Sequence, residues 1–568
     1  MKYVIIGGVA GGATVAARIR RVDEKAQIVL FERGDYISYA NCGLPYYIGN
    51  IIPEREQLFV QTVQGITSRY DIDIRVRSEV ISINRETRRV EVKDNLNGAI
   101  YSESYDKLVL SPGAEPLKPP VPGLDNPRLF TMRNVPDTDK IKEHIKSNSI
   151  RSAIIVGGGF IGLEMAENLR HLGIKVNLIE MAPQVMAHLD FSMASIVHLE
   201  LKAKGVKLHL SKSVKEFKDS GSYIEALLDD GTSIFADMAI WSIGVRPEVS
   251  LAREAGLEIG TTGGIKINKY LQTSDENIYA IGDAVEVTHL VSGKPVLIPL
   301  AGPANKMGRI AADNMVFGNR SEYKGSIGTG IAKVFDLTVA STGMSGKWLE
   351  KEGIKHIDSY THSASHAGYY PNALPLSVKI TFAPDTGKLL GAQVVGFEGV
   401  DKRIEMFASV LGRGGSVYDL MELEHAYAPP FSSAKDPVNM AGFVADNILS
   451  GKVKITTWRE IEYLNPERDI LIDVRTAEEH MESAIPGSVN IPLDEIRLRL
   501  DEIPADKRVV IFCAVGLRGY LAARILSQNG FKNVFNLSGG YKTYSVATGQ
   551  ESAYKYFSVR ITSGDEIE

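Results

Sequence analysis

At 568 residues the chain exceeds what a single hydrophobic core supports, so several domains are expected. Hydrophobic residues make up 44% of it and charged residues 23%, the balance of an ordinary globular protein. The formal net charge of −5 excludes a general basic surface for nucleic acid or an anionic membrane. No apolar run approaches the roughly 20 residues that span a bilayer, and the N-terminus lacks a signal-peptide pattern, so a cytoplasmic protein is predicted.

The chain contains two cysteines, Cys42 and Cys513. This count excludes a disulfide scaffold and leaves no Cys-x-x-Cys pair for metal binding or for thioredoxin-type exchange. A lone cysteine is ordinarily a small buried apolar residue. Both of these lie in glycine-containing loops with reactive neighbours, which favours a chemical role for each.

Alternating strand and helix patterns occupy the first half of the chain. A buried-strand pattern at 3–6 precedes a helical pattern at 12–22 and a strand pattern at 28–31, and the same order returns at 153–180. Two such units, each with a glycine-rich turn, predict an α/β fold with two Rossmann-like dinucleotide-binding domains. Two cofactors are therefore expected.

The rest of the chain holds two further units. Strand-like runs at 332–335, 376–381 and 389–397 precede a helical stretch and predict an α+β domain over 326–445. A short glycine-containing linker follows, and a new α/β unit is predicted over 455–548. The last twenty residues are polar, are expected to be peripheral and receive no function.

The first glycine-rich turn reads GGVAGG at 7–12. Its glycines permit a tight turn, and the following helix start offers N–H groups and a positive dipole end to a pyrophosphate. Val9 replaces the middle glycine of the G-x-G-x-x-G pattern. An acid ends the next strand, where its carboxylate can accept hydrogen bonds from a ribose 2′-hydroxyl. The residues predicted to bind this first cofactor are Gly7, Gly8, Gly11, Gly12, Glu32 and Arg33.

The second turn reads GGGFIG at 157–162 and matches the complete pattern. Glu180 ends the next strand, and no arginine follows it directly. A 2′-phosphate would meet this carboxylate as like charge, so NADH is favoured, with NADPH left open. The residues predicted to bind the nicotinamide cofactor are Gly157, Gly159, Phe160, Ile161, Gly162 and Glu180.

Three further segments lie in a specific order around these turns, LSPGA at 110–114, WSIGVRP at 241–247 and IYAIGDA at 278–284. With the two turns they resemble the flavoprotein reductases of the pyridine nucleotide-disulfide oxidoreductase superfamily. The resemblance implies FAD at the first turn, with Asp283 contacting its ribityl chain, and NADH at the second. It also implies cofactor contacts from Ser111, Pro112, Gly113, Gly244 and Ala301.

The resemblance further implies a domain order and a homodimer. It assigns an FAD domain (1–115 and 245–325), an NADH domain (116–244) and a dimerisation domain (326–447). A linker (448–455), a C-terminal domain (456–548) and a tail (549–568) are predicted to follow.

Cys42 lacks the partner that disulfide reductases carry. In their C-x-x-x-x-C pair the second cysteine would fall at position 47, which is Tyr47 here. A single thiolate forms no intramolecular disulfide. When Cys42 is oxidised, its sulfur therefore bonds either to oxygen, as a sulfenic acid, or to sulfur from another molecule.

The stretch SYANCGLPYYIG at 38–49 resembles that of coenzyme A disulfide reductases and their rhodanese-fused relatives. The resemblance implies coenzyme A (CoA) as a bound thiol. Arg18 and Arg21, three residues apart, share one helix face suited to its phosphates, although a solvated face is the ordinary reading of such a pair. The CoA contacts implied are Thr14, Arg18, Arg21, Ser38, Asn41, Lys435, and Asn305 or Lys306.

Two tyrosines resemble family residues that reach the substrate sulfur across the dimer. They are Tyr369, with Tyr370 as an alternative, and Tyr427. A tyrosine hydroxyl ordinarily stays protonated at neutral pH and can donate to a leaving thiolate. His425, two residues before Tyr427, is expected to be structural.

The C-terminal unit resembles single-domain rhodaneses along its length. An apolar strand at 509–512 ends at Cys513, and the loop CAVGLRG leads into a helix. Successive N–H groups in such a loop favour a thiolate and hold a persulfide, and Arg518 adds charged donors. Ala484 replaces a common histidine of this pattern, and Ala514 replaces a common arginine, which favours a persulfide donor over thiosulfate.

The predicted function is NADH-dependent, FAD-dependent reduction of CoA disulfide, CoA persulfide or polysulfide, with the rhodanese unit supplying sulfane sulfur and hydrosulfide released. Cys42, Cys513, Tyr369, Tyr427 and Arg518 are the predicted catalytic residues. A rival enzyme class is an NADH peroxidase or oxidase using a Cys42 sulfenic acid, and a non-enzymatic rival is a flavoprotein redox sensor. The sequence leaves open which sulfur compound is the acceptor, and whether Cys513 passes sulfur to Cys42 directly or through CoA.

Overall fold

The computed structural model describes residues 1–557 and divides into two compact units. The first unit consists of Met1–Met181 and His209–Gly328, and the second of Ala182–Leu208 and the chain from Thr329 onward. Among the described residues, no helix combines the length and apolar character needed to cross a membrane.

The strands, in chain order, are β1 (Lys2–Ile6), β2 (Gln27–Phe31), β3 (Asp73–Arg75), β4 (Ser78–Asn84), β5 (Arg89–Asp94), β6 (Ile100–Ser104), β7 (Lys107–Leu110), β8 (Ala114–Pro116), β9 (Leu129–Phe130), β10 (Ser152–Val156), β11 (Lys175–Glu180), β12 (Lys207–Leu210), β13 (Val214–Ser220), β14 (Tyr223–Leu228), β15 (Ser233–Ala236), β16 (Met238–Trp241), β17 (Val245–Pro247), β18 (Ile265–Lys266), β19 (Ile278–Ala280), β20 (Val285–Thr288), β21 (Pro295–Val296), β22 (Gly330–Val334), β23 (Leu337–Gly343), β24 (Ile357–Ala364), β25 (Pro375–Phe382), β26 (Leu389–Gly396), β27 (Lys454–Thr456), β28 (Asp469–Asp473), β29 (Val489–Asn490), β30 (Arg508–Phe512) and β31 (Val534–Leu537).

The α-helices are α1 (Ala10–Val22), α2 (Leu44–Ile48), α3 (Val63–Tyr70), α4 (Val135–Ser147), α5 (Phe160–His171), α6 (Phe191–Ala203), α7 (Ser250–Glu254), α8 (Ala301–Phe317), α9 (Gly346–Lys351), α10 (Val400–Gly412), α11 (Val417–Glu422), α12 (Pro437–Leu449), α13 (Ala477–Glu482), α14 (Leu517–Gln528), α15 (Gly540–Ala547) and α16 (Tyr554–Phe557). Short 3₁₀ turns lie at Asn41–Gly43, Arg55–Leu58, Gly282–Ala284, Trp458–Tyr463, Ile496–Leu498, Leu500–Glu502 and Glu551–Ala553.

Two parallel sheets form the centre of the first unit. One has the order β19-β7-β1-β2-β3, and in the other β11, β10, β16 and β9 are successive neighbours. The short apolar runs predicted as strands are buried on both faces, as parallel strands require. Each central strand leads through a glycine-rich turn into a helix, α1 or α5. The predicted pair of Rossmann-like folds is confirmed.

The second unit contains an antiparallel sheet, β22-β23-β26-β25-β24, and a parallel sheet, β27-β31-β30-β28-β29. The predicted α+β and C-terminal α/β units are thus confirmed. A buried ion pair ties α6 to the antiparallel sheet, because Lys379 on β25 lies 2.6 Å from the Asp190 carboxylate and 2.7 Å from that of Asp358. Asp190 also accepts hydrogen bonds from the N–H groups of Gly346 and Lys347.

The tail differs in part from its predicted peripheral position. Phe557 on α16 is buried, and the Tyr541 hydroxyl lies 2.9 Å from that of Ser552. The tail contains apolar side chains among its polar residues. Because these apolar side chains pack over α15, this part of the tail is not peripheral. Residues 558–568 of the predicted tail lie outside the described part of the chain.

Candidate active site

A cavity of about 650 Å³ in the first unit lies where the parallel strands β1 and β7 end. It extends from the glycine-rich turn to Cys42 and so brings together residues predicted from separate motifs. The predicted residues among its lining are Gly7, Gly8, Gly11, Glu32, Arg33, Asn41, Cys42, Ser111, Pro112, Gly113, Asp283 and Ala301.

The geometry of this cavity fits a dinucleotide such as FAD. Gly7 has φ +97°, and a Cβ on it would lie 2.1 Å from the Ser111 carbonyl oxygen, so the backbone approaches as only glycine allows. Gly12 does not line the cavity; a Cβ there would meet the Gly7 carbonyl oxygen at 1.8 Å, which explains the need for glycine at the helix start. Glu32 accepts hydrogen bonds from the N–H groups of Gly8 and Gly34 at 2.9 and 2.8 Å, which fixes an acid beside the turn.

The glycine-rich turn at 157–162, predicted to bind the nicotinamide cofactor, has the same arrangement. The Gly158 N–H donates to Glu180 at 2.7 Å, as Gly8 does to Glu32. Gly157 has φ +108°, and a Cβ on Gly162 would lie 1.9 Å from its carbonyl oxygen. Gly159 precedes α5 as its N-cap, and Phe160 and Ile161 begin the helix. Gly244, with φ +133°, lies beyond β16.

Cys42 lies in the 3₁₀ turn Asn41–Gly43, immediately before α2. Its side chain is open to the cavity, yet the surrounding protein desolvates it enough to raise the pKa of the thiol. The carboxylates of Glu164 and Asp283 raise this pKa further. Burial raises the pKa of Glu164 itself to about 7.

The packed helices α1 and α8 carry several of the predicted CoA residues, among them Thr14, Arg18, Arg21 and Asn305. The Thr14 hydroxyl lies 2.6 Å from Asn305 Oδ1, so these two residues are brought together. Arg18 forms an ion pair with Asp313 at 2.7 Å, whereas Arg21 is exposed and, within residues 1–557, donates to the carbonyl of Ala17 on its own helix.

The other predicted CoA residues have different surroundings. Ser38 adopts φ +46°, and Asn41 lines the cavity. The Lys306 ammonium lies 5.8 Å from the Tyr323 ring centroid, and Lys435 of the second unit is exposed.

The two predicted tyrosines pair in the second unit. The hydroxyls of Tyr369 and Tyr427 lie 2.7 Å apart, and both rings are exposed. This hydrogen bond raises the pKa of the Tyr427 hydroxyl. Tyr370 instead packs edge-on against His366, so the geometry favours Tyr369. The Nε2 atom of His425 is buried without a hydrogen-bond partner.

Cys513 is buried where β30 ends, in the loop that leads to α14. Its Sγ atom accepts a hydrogen bond from the Gly516 N–H at 3.1 Å, so the loop aims a backbone donor at the sulfur. Arg518 pairs with Glu479 at 2.7 and 2.8 Å. Glu479, and after it Cys513, raises the pKa of the Arg518 guanidinium. The Arg518 guanidinium thus lies near the sulfur, as predicted, but two of its nitrogen atoms donate to the Glu479 carboxylate.

Three charged residues of these sites are not among the predicted site residues. Arg133 lines the FAD-type cavity and donates to the Pro112 carbonyl at 3.3 Å, Glu164 acts on Cys42, and Glu479 anchors Arg518. Arg133 lies outside the glycine motifs. Glu479 could have been found from the sequence, because it stands three residues after Thr476, the spacing of a capping box, at the start of α13.

The fold and the cavity define a reductase with two dinucleotide sites, a single cysteine at the first, and a separate cysteine loop of the rhodanese kind. Family models match at 1–308 (pyridine nucleotide-disulphide oxidoreductase), 330–437 (its dimerisation domain) and 460–547 (rhodanese-like domain). The chain belongs to the pyridine nucleotide-disulphide oxidoreductase family and carries a rhodanese-like domain. Enzymes of this family use FAD and a nicotinamide cofactor, as predicted for this chain.

Individual relatives match over most of the chain. The coenzyme A disulfide reductase of Staphylococcus haemolyticus is 34% identical over 450 residues, 79% of this chain and 100% of that protein. The reduced CoADR-RHD of Bacillus anthracis is 50% identical, with a TM-score of 0.95 over 97% of this chain and 98% of its own. The NAD-dependent persulfide reductase of A. fulgidus is 36% identical, with a TM-score of 0.89 over 96% of this chain and 100% of its own.

Proposed function

We propose that this enzyme uses NADH to reduce CoA persulfide, CoA disulfide or polysulfide, and that its rhodanese domain supplies sulfane sulfur. The observation that carries the proposal is the solitary Cys42 at the cavity of the FAD-type fold. A thiol without an internal partner needs an external sulfur for disulfide chemistry. Similarity over the whole length of a coenzyme A disulfide reductase and of a persulfide reductase supports CoA as the carrier of that sulfur.

In the proposed reaction, the Cys42 thiolate attacks the CoA-bound sulfur of CoA persulfide. The S–S bond of the persulfide breaks, hydrosulfide leaves, and a Cys42–CoA mixed disulfide forms. Two electrons and one proton, equivalent to the hydride of NADH, then convert this disulfide to the Cys42 thiolate and CoA thiol. NADH and CoA persulfide thus yield NAD⁺, CoA and hydrosulfide.

FAD, when bound, supplies the two-electron transfer between NADH and sulfur. The glycine turn at 7–12 and Glu32 would hold it, and Asp283 also lines the cavity. Arg133 adds a cation to the lining, suited to a pyrophosphate. The turn at 157–162 and Glu180 would hold NADH, and the acid supports NADH over NADPH.

CoA is proposed to bind along α1, α8 and the cysteine turn. Thr14 and Asn305 already share a hydrogen bond there, and Asn41 adjoins Cys42. Arg18 reaches a phosphate only in competition with Asp313, whereas Arg21 has no carboxylate bound to it among the described contacts. Arg21 is therefore the stronger candidate for the phosphate contact.

We further propose a homodimer in the cytoplasm. The dimerisation-domain match supports the assembly, and reduced working thiols suit a compartment that keeps cysteines reduced. In this dimer the Tyr369–Tyr427 pair of one protomer serves the Cys42 of the other, and Lys435 adds a CoA contact. The paired hydroxyls would donate a proton to the leaving thiolate.

The rhodanese domain is proposed to load CoA with sulfur. The Cys513 thiolate takes the outer sulfur of a persulfide or polysulfide and releases the donor thiolate. The CoA thiolate then takes that sulfur from the Cys513 persulfide, which gives CoA persulfide and restores the Cys513 thiolate. The Gly516 N–H and Arg518 provide donors for the persulfide anion.

Intact-protein mass spectrometry tests the proposal after incubation with CoA disulfide. We expect one CoA attached per chain, lost on reduction with NADH and absent in Cys42→Ser. The Cys513→Ser variant is the matched control and should retain the adduct. Adducts of hydrogen peroxide at Cys42, combined with faster NADH turnover on peroxide than on CoA persulfide, would instead support the peroxidase class.

A further inference from the structure

Strand β24 of the antiparallel sheet contacts the rhodanese domain through side chains and backbone. The Nε2 atom of His362 lies 2.8 Å from the Thr543 hydroxyl on α15, and its Nδ1 atom lies 2.8 Å from the Ser377 hydroxyl on β25. Two residues earlier, the Tyr360 N–H donates to the Ser538 hydroxyl at 3.0 Å. Both partners in the rhodanese domain belong to the segment that follows β31.

The same segment holds the cysteine loop on its other side. The Tyr541 N–H donates to the Cys513 carbonyl at 2.8 Å, and the Lys542 N–H donates to the Ala514 carbonyl at 2.9 Å. The start of α15 is therefore bound to the sheet by its side chains and to the cysteine loop by its backbone.

Two glycines allow the start of α15 to lie close to both the cysteine loop and strand β24. A Cβ on Gly540 would lie 2.4 Å from the Cys513 carbonyl oxygen, and a Cβ on Gly539 would lie 2.1 Å from the Thr543 hydroxyl oxygen and 2.8 Å from Tyr360 Cβ. Both glycines have positive φ, +75° at 539 and +58° at 540. No other residue permits the loop and the strand to approach α15 so closely.

His362 is held in this position as a neutral ring. Desolvation, and then the charge of Lys542, lower the pKa of His362 well below its usual range. Both ring nitrogens have hydroxyl partners, and the buried Phe557 ring packs edge-on against the imidazole with centroids 6.4 Å apart. The Lys542 ammonium lies 4.4 Å from the centroid of the same phenylalanine.

We propose that His362 of the dimerisation domain, acting through Thr543 and the start of α15, positions the Cys513 loop for sulfur transfer. The proposal rests on the proposed role of Cys513 as the sulfur-accepting cysteine. A displaced α15 would move the Cys513 and Ala514 carbonyls and misdirect the Gly516 N–H that points at Sγ. His362 and Thr543 are thus positioning residues for a reaction that occurs in another domain.

The test measures sulfur transfer from glutathione persulfide to cyanide by full-length protein carrying Cys42→Ser, so that Cys513 is its only cysteine. We expect His362→Ala and Thr543→Val each to lower kcat at least tenfold with a smaller change in KM for the persulfide. The acidic limb of the pH profile should also move to higher pH, because a misaligned N–H stabilises the thiolate less. Thr543→Ser keeps the hydroxyl and should restore both.

Thr548→Val is the matched control, since that exposed hydroxyl lies at the opposite end of α15, where it donates to the Tyr544 carbonyl. It should leave transfer unchanged. Thermal unfolding of each variant distinguishes a protein that is unfolded from a folded protein whose Cys513 loop is displaced. If His362→Ala fails to fold, the comparison of Thr543→Val with Thr543→Ser still decides the test. A kcat and pH profile of Thr543→Val equal to those of Thr543→Ser would overturn the proposal.

The proposed function has its own readout in this design. NADH-driven reduction of preformed CoA persulfide, measured with Cys42 intact, should be unchanged by Thr543→Val. Absence of that reduction in the parent protein would contradict the proposed function, whereas the transfer assay judges the positioning role by itself.

Discussion

The hydroxyl of Tyr369 lies 2.7 Å from that of Tyr427. The pair joins two loops of the second unit that are 58 residues apart in sequence. One hydroxyl donates to the other, so only one proton of the pair remains for an external acceptor at a time. The two tyrosines are therefore expected to act as a unit.

Substitution of these tyrosines tests that expectation. Tyr369→Phe or Tyr427→Phe should lower kcat for NADH-driven CoA persulfide reduction by roughly 10²-fold, the range of a lost proton donor. The double variant should lose little more, because the residues are coupled. Tyr463→Phe, on an exposed ring elsewhere, should have no effect. Full activity in the double variant would remove the pair from the mechanism.

The pKa of Cys42 should respond to Glu164. Burial is the main cause that raises the thiol pKa, and the Glu164 carboxylate adds to it once ionised above pH about 7. Glu164→Gln should therefore lower the pKa of Cys42, measured by the pH dependence of alkylation in Cys513→Ser protein. Glu86→Gln, on the exposed surface, serves as control. An unchanged or higher pKa in Glu164→Gln would contradict this reading.

The backbone at Gly7 should be essential for flavin binding. Gly7→Ala places a Cβ 2.1 Å from the Ser111 carbonyl oxygen at φ +97° and should cost roughly 2–4 kcal/mol of stability. Flavin absorbance per chain and urea unfolding measure both effects. Gly98→Ala is a matched control, because Gly98 has φ +75° with open space around it. It should lose about 1 kcal/mol and no flavin. Equal flavin content in the two variants would contradict the assignment of this turn.

Acid should weaken the second unit through Asp190. Burial opposes ionisation of this carboxyl, yet Lys379 and the neighbouring N–H groups hold its pKa at about 2. A depressed folded-state pKa stabilises the fold above the unfolded value near 4, and this stability is lost as pH falls from about 4 to 2. Lys379→Met should remove this pH dependence and cost roughly 3–5 kcal/mol at neutral pH, since it leaves a buried carboxylate unpaired. Urea unfolding at pH 7 and pH 3 measures both, and equal losses at the two pH values would refute the pairing.

The glycine turns could be predicted because their requirement is local. Gly7 and Gly157 need positive φ and close backbone approach, and both conditions leave a short pattern in the sequence. Glu32 directly after β2 and Glu180 at the end of β11 follow the same pattern. The cysteine loop at 513–519 is equally local, because its donors are its own N–H groups.

Contacts between distant segments could not be predicted in this way. Arg18 and Asp313 are 295 residues apart, and nothing near either indicates their ion pair. Glu164 acts on Cys42 because α5 packs beside α2, which depends on tertiary structure. His362 and Thr543 meet because two domains dock, so neither carries a motif.

The proposed role of Cys42 is to be the cysteine at which external sulfur is reduced. Its most direct test is steady-state NADH oxidation and hydrosulfide release with preformed CoA persulfide, for the parent protein, Cys42→Ser and Cys513→Ser. We expect at least a 10³-fold loss of kcat in Cys42→Ser and near-parental rates in Cys513→Ser, because preformed CoA persulfide does not need the rhodanese domain. Retention of the parental rate by Cys42→Ser would rule out this role for Cys42.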